Sequence, residues 1–259
     1  MVLYHHFIIN QNQPNVINTS DIVDPDDIDI FSYRSIRRAI GYLAISLPIL
    51  LLSLSFIAFF DTQPQHSISH YYYTNLREIF TGTLCAVGLF LIRYKGHNNV
   101  SFWKNDKQLT NIAGIMALGV AFFPTTPDCP SQKIYTLIPY NAKWLGVLHY
   151  GFAAVLFLIL ALLAINVFTI GQKNETNAPK SMLDENNIYR FCGYSILVFI
   201  IAIPFDLFDY ATLVFEALSL FVFGVAWLIK GRALGDKDII GKKLYREVNT
   251  VDTEKVFEE

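Results

Sequence analysis

Charge is scarce in this chain, and so are the motifs from which soluble enzymes are built. Charged residues make up 16% of 259, against about one-quarter in soluble domains. The 20 Lys/Arg and 22 Asp/Glu leave a net charge of −2, without the basic stripe that phosphate neutralisation needs, which excludes nucleic acid as a partner. Cysteine occurs three times, at Cys85, Cys129 and Cys192. No two of these have zinc-site spacing, and they build no disulfide framework. Walker, GxSxG and HExxH motifs are missing, as are haem and lipidation signals, so no motif assigns an enzymatic reaction or identifies a cofactor. A cleavable signal is not expected either, because the first 33 residues are polar. They carry Asp21, Asp24, Asp26, Asp27 and Asp29 without the glycine and distal glutamate of an EF-hand. That stretch reads as a solvated acidic tail.

Apolar residues are abundant instead: 53% of the chain, with 15% aromatic and a mean hydropathy of +0.36. They fall in blocks at 39–60, 73–94, 109–124, 143–170, 187–205 and 210–230. A helix needs about 20 apolar residues to cross the hydrocarbon core, with roughly 17–25 acceptable. The expected fold is therefore an all-α, polytopic, multi-pass membrane bundle of six transmembrane helices. A cytoplasmic acidic polar tail (1–35) precedes the transmembrane domain (36–232), and a charged cytoplasmic tail (233–259) follows it.

Lysine and arginine set the orientation. Arg34, Arg37 and Arg38 precede the first block. Arg93, Lys95, Lys104 and Lys107 separate the second from the third, and Lys173, Lys180 and Arg190 the fourth from the fifth. Lys230, Arg232, Lys237, Lys242, Lys243, Arg246 and Lys255 follow the last, leaving only Arg77, Lys133 and Lys143 of the 20 for the other side. The positive-inside rule puts both termini in the cytoplasm (N-in, C-in). The sequons at Asn18, Asn99 and Asn174 lie on that same side. Interface belts are expected at Tyr71, Tyr72, Tyr73, Tyr140, Trp144 and Tyr210 outside, and at Phe102, Trp103, Tyr189 and Trp227 inside. Small residues predict close packing at Ala113, Ala117 and Ala121 of the third helix and at Gly82 and Ala86 of the second.

Ionisable groups inside a bilayer are costly and face a bundle interior or a wet cavity. Here they gather at the outer ends: Arg77 and Glu78 on the second helix, His149 on the fourth, Asp206 after the fifth and Glu216 on the sixth. Together with Ser69 they are the candidate ligand-binding residues of an outward-facing polar pocket for a lipid headgroup or small solute. The bland alternative is an Arg77–Glu216 ion pair that neutralises two buried charges. His66 and His70, four apart, would share one helix face, so His66, His70 and His149 are the weak candidate ligands for zinc, although Pro64 argues for a loop there. Ser67 or Ser69 beside a histidine also suggests a nucleophile.

The runs SISHYYYTNLREIFTGTLCAVGLFLIRYKG, NIAGIMALGVAFFPT, LHYGFAA, IYRFCG and FEALSLFVFGVAWLIKG resemble an uncharacterised bacterial family of small multi-pass inner-membrane proteins. The likeness covers residues 36–232 and implies family positions at Ser67, Ser69, Tyr71, Tyr72, Thr74, Arg77, His149 and Glu216. That family has no assigned activity. A remoter likeness is to ceramidase-like and adiponectin-receptor-like membrane hydrolases, whose Ser, Asp and His residues bind zinc. This chain departs from them in having six blocks and no second histidine four residues after His149.

Three functions follow as expectations. The first is a membrane protein binding a lipid or small molecule at its outer mouth. The second is a metal-dependent hydrolase using His70, His149, an acid and metal-bound water. The third is a small proton- or ion-coupled transporter built around Glu216, which as a six-span bundle would work as a homo-oligomer.

Overall fold

The computed structural model describes residues 25–94, 96, 98–127, 136–139, 142–170 and 185–234, with side chains from residue 33 onward. Cys129, Lys133, Tyr140 and most of the two tails lie outside the described residues. Six α-helices and no strand occur among those described: α1 (Pro25–Ser55), α2 (Arg77–Arg93), α3 (Asp106–Phe122), α4 (Lys143–Leu162), α5 (Glu185–Ala202) and α6 (Ala211–Lys230).

The stretch 25–35, expected as tail, belongs to α1. Proline suits a first helical position, and the helix begins at Pro25. Pro48 sits inside the same helix, which apolar surroundings tolerate when neighbouring helices pack around it. α4 extends through a π-turn at Leu163–Val167. Four helical stretches are long and apolar enough to cross a membrane: Tyr33–Ser55, Lys143–Val167, Glu185–Phe205 and Ala211–Lys230. The chain is accordingly an integral membrane protein. α2 and α3 are shorter, at 17 residues each.

Each helix packs against its neighbours in the chain, and α6 returns to α1, so the six close a ring. The axis is filled by apolar side chains. A narrow cavity there is lined by residues such as Leu47, Leu84, Ala117, Leu156 and Phe223, with Thr83 as a polar member, and an apolar cavity of this kind stays dry. Exposed apolar side chains point away from the axis on all six helices, among them Ile49, Leu89, Ile115, Leu158, Val198 and Phe221.

Lipid tails are as apolar as leucine, so close packing has to hold such helices together. Two seams show how. A Cβ on Gly224 would lie 2.7 Å from the Gly41 carbonyl oxygen, and one on Gly114 would lie 2.5 Å from that of Gly88. Both contacts need glycine. Ala113, Ala117 and Ala121 are buried as expected. Gly82 is not a seam, because a Cβ added there meets nothing within 4 Å; the α2 contact lies nearly two turns further on, at Gly88.

Polar tethers mark both ends of the ring. At the basic end, Arg37 Nε and Nη2 donate to the Tyr94 hydroxyl at 3.0 and 2.6 Å. At the opposite end, Asn75 donates to the Phe60 carbonyl at 3.0 Å, and the Ser55 and Tyr71 hydroxyls are 2.8 Å apart. α2 thus runs alongside α1 between the two sets of tethers.

Candidate functional site

Residues 61–76, between α1 and α2, fold into the end of the ring as a plug. Pro64 keeps the first part irregular, and Ser69–Tyr73 forms a 3₁₀ turn. Ser67, Ile68, Ser69, Tyr71, Tyr72 and Leu76 are buried. Tyr71 and Tyr72, expected as interface anchors, are 0% and 3% exposed. Their rings fill the bundle, and their hydroxyls find partners there, as buried phenols do. Tyr189 and Trp227 at the basic end are likewise fully buried, whereas Trp144, Tyr210, Phe102 and Trp103 are exposed as expected.

The HYYY segment answers a need created by the sequence after α3. Pro124 and Pro127 bar continuation of that helix, so the Phe122 carbonyl and those of the exit residues beyond it lack intrahelical donors. Four side chains supply them. The Tyr72 hydroxyl donates to the Phe122 carbonyl at 3.4 Å, and His149 Nδ1 to that of Phe123 at 2.7 Å. The Tyr73 hydroxyl donates to Thr125 O in a short contact, and His70 Nε2 to Thr126 O at 3.1 Å. A carbonyl only accepts, so these contacts set both histidine tautomers. With its proton on Nε2, His70 accepts a hydrogen bond at Nδ1 from the Ser67 hydroxyl at 2.9 Å. The same hydroxyl accepts the His70 backbone N–H at 3.1 Å. Ser67 and His70 do pair, then, as a cap that closes the 3₁₀ turn.

The plug is also stitched to α6. Leu213, in the first turn, donates its backbone N–H to the His66 carbonyl at 2.9 Å. Glu216 Oε2 accepts the Ile68 N–H at 2.7 Å, and the Ser69 N–H also bonds to this carboxylate. Those amides hold Glu216, rather than the Arg77 guanidinium expected to pair with it. Arg77 donates from Nε to the Tyr72 carbonyl at 2.6 Å and lies over the Tyr72 ring, 5.4 Å from its centroid. Burial pushes the Tyr72 phenol above its ordinary range, and the Arg77 charge offsets part of that.

The plug therefore contains Ser69 and His70, receives Glu216 on the Ile68 amide and Arg77 on the Tyr72 carbonyl, and shares the α3 exit with His149. Glu78 and Asp206 stay exposed. Asp206 is a helix exit residue: its left-handed backbone (φ 43°) ends the 3₁₀ turn after α5, as Asp61 (φ 42°) does after α1, a conformation aspartate tolerates well. His66 stacks on Tyr210 at 4.6 Å and shares no helix face with His70. Among the described residues, no three His, Cys, Asp or Glu come together in a metal-sized group.

His149 retains one uncommitted atom. The residue is 0% exposed, its Nδ1–H is spent on Phe123, and its Nε2 has no hydrogen-bond partner. Thr125 Oγ1, on the same α3 exit, is also buried without a partner. Neither atom could be assigned from sequence, because both depend on how α3 and α4 meet.

A second polar cluster, at the basic end, went unread in the sequence. The Tyr94 hydroxyl that accepts from Arg37 also hydrogen-bonds the buried Asp106. Lys230 Nζ donates to the Phe168 carbonyl at 2.8 Å and lies over the Phe168 and Tyr189 rings at 5.8 and 5.7 Å. Tyr189 donates to Glu185 at 3.3 Å. These residues come from α1, α5, α6 and the flanks of α2, α3 and α4, and their signal was hidden among charges read only as topology markers.

No protein-family model, curated protein or solved structure matches the chain.

Proposed function

We propose that the chain is a six-span membrane protein of the bacterial inner membrane, with both termini in the cytoplasm. On this reading its outer, plugged end binds a small polar ligand or lipid headgroup through a hydroxyl or ammonium donor. Six crossings are supported by α2 and α3, which run between the same two sets of tethers as α1 and carry outward apolar side chains.

The observation that carries the binding reading is the buried Nε2 of His149. A neutral imidazole held by its Nδ1–H presents a fixed lone pair, and leaving such an acceptor unmade costs about 1–3 kcal/mol. A ligand donor would recover that. Thr125 Oγ1, on the same α3 exit, is a second buried polar atom without a partner.

His149→Asn is the test, because an asparagine amide can still donate to the Phe123 carbonyl while the Nε2 acceptor disappears. Phosphoethanolamine at ~100 times its Kd should stabilise the wild type by about 2.7 kcal/mol, read as a raised melting temperature in detergent, and leave the variant unshifted. Equal shifts in both proteins would sink the proposal. Near-stoichiometric zinc in the wild type that is lost in His149→Asn would replace it with the metal-dependent reading. Glu216-dependent proton flux in liposomes would replace it with the transporter.

A further inference from the structure

The basic end carries a groove of about 390 Å³ where the chain passes from α2 to α3. It is lined by Ile92, Arg93, Tyr94, Gly96, Asn98 and Lys107. Two cations stand at its sides, Arg93 on the last turn of α2 and Lys107 on the first turn of α3. Both are exposed. Asn98 adds an amide donor and Ile92 an apolar wall.

The negative group nearest the groove is turned to another task. Asp106 lies directly beneath Gly96, where an added Cβ would sit 2.5 Å from its Cγ. Its carboxylate bonds the Tyr94 hydroxyl, which in turn receives Arg37 of α1. Asp106 is buried, whereas Arg93 and Lys107 are exposed on the open side.

The segment that follows Asn98 exposes three apolar side chains. Val100, Phe102 and Trp103 are 107%, 43% and 57% exposed, and the last two rings meet edge to face at 5.2 Å. Exposed aromatics of this kind sit at the headgroup level of a bilayer.

The geometry points to a binding site for an anionic phospholipid in this groove, with the phosphate between Arg93 and Lys107 and the acyl chains against Phe102 and Trp103. Basic recesses between transmembrane helices are suited to such headgroups. The shared chemistry is a phosphate monoanion. The adjoining apolar wedge is what selects a lipid over free phosphate. This site is at the opposite end from His149, and it needs only that the basic end meet a headgroup layer.

Native mass spectrometry of the full chain, released from nanodiscs containing phosphatidylglycerol and phosphatidylcholine, tests it. The wild type should retain phosphatidylglycerol selectively. Arg93→Gln/Lys107→Gln should weaken that retention roughly 30-fold, the product of two contacts each worth about 1 kcal/mol. Arg190→Gln, an exposed cation at the same end on α5, should retain the lipid as the wild type does. Unchanged retention in the double variant, or equal retention of phosphatidylcholine, overturns the site. So does an equal loss in Arg190→Gln, which would mean a diffuse basic surface. Displacement of the lipid by millimolar inorganic phosphate, with phosphate adducts surviving alone, overturns the lipid assignment in favour of a free anion.

Discussion

The two ends of the ring solve the same problem by different means. Each must close a bundle whose helices gain little from hydrophobic burial in lipid. The plugged end uses neutral donors and backbone: His70, Tyr72, Tyr73 and His149 satisfy carbonyls at the α3 exit, and a single carboxylate, Glu216, gathers two amides of the loop. The basic end uses charge and aromatic mass. Arg37, Asp106 and Lys230 meet phenols, a carbonyl and ring faces around the fully buried Trp227, which touches Tyr94, Phe168 and Phe223 edge to face. One end is a loop pinned in place, and the other is side chains from converging helices locked to each other.

That contrast can be broken by substitution. The largest effect is expected at Trp227, where alanine removes the hub of four buried rings and should cost ~3–5 kcal/mol. Unfolding in mixed micelles measures it, and faster hydrogen exchange should spread over several helices rather than one. Glu216→Gln should cost less, ~1–3 kcal/mol for about one stranded amide. Its exchange signature should be confined to residues 66–73, and protection lost along the whole of α6 would show that the plug is no independent unit. The smallest effect is expected on α2. Gly82→Ala should stabilise by ~0.5–1 kcal/mol through helix propensity, because its Cβ meets nothing. Gly88→Ala, one seam away, should instead destabilise by ~1–3 kcal/mol through overpacking. A matching sign at both positions would contradict the ring packing.

Much of the fold is legible in the amino-acid sequence. Apolar blocks locate all six helices, with ends shifted by a few residues and one large extension, where Pro25 and the acidic stretch begin α1. The convergence of His149 and Glu216 at one end is also legible, since charged or polar groups on apolar helices have few places to go. Partners are not. Arg77 and Glu216 look like an ion pair because both carry charge, yet backbone amides and a carbonyl claim them first. Tyr71, Tyr72, Tyr189 and Trp227 look like interface anchors because that is where aromatics collect. Their alternative, burial with a bonded hydroxyl or an edge-to-face ring, depends on neighbours far away in the chain.

Sequence by itself determined that the chain is helical and membrane-embedded, with a basic end and an opposite end that holds His149 and Glu216. Those properties follow from local composition, which a bilayer reads directly through length, hydropathy and charge. Tertiary structure alone decided that residues 61–76 close the ring, that the α3 exit recruits HYYY, and that the lone pair of His149 Nε2 is left over. Each of these depends on which carbonyl lies within about 3 Å of which donor, a distance set by the packing of helices far apart in sequence.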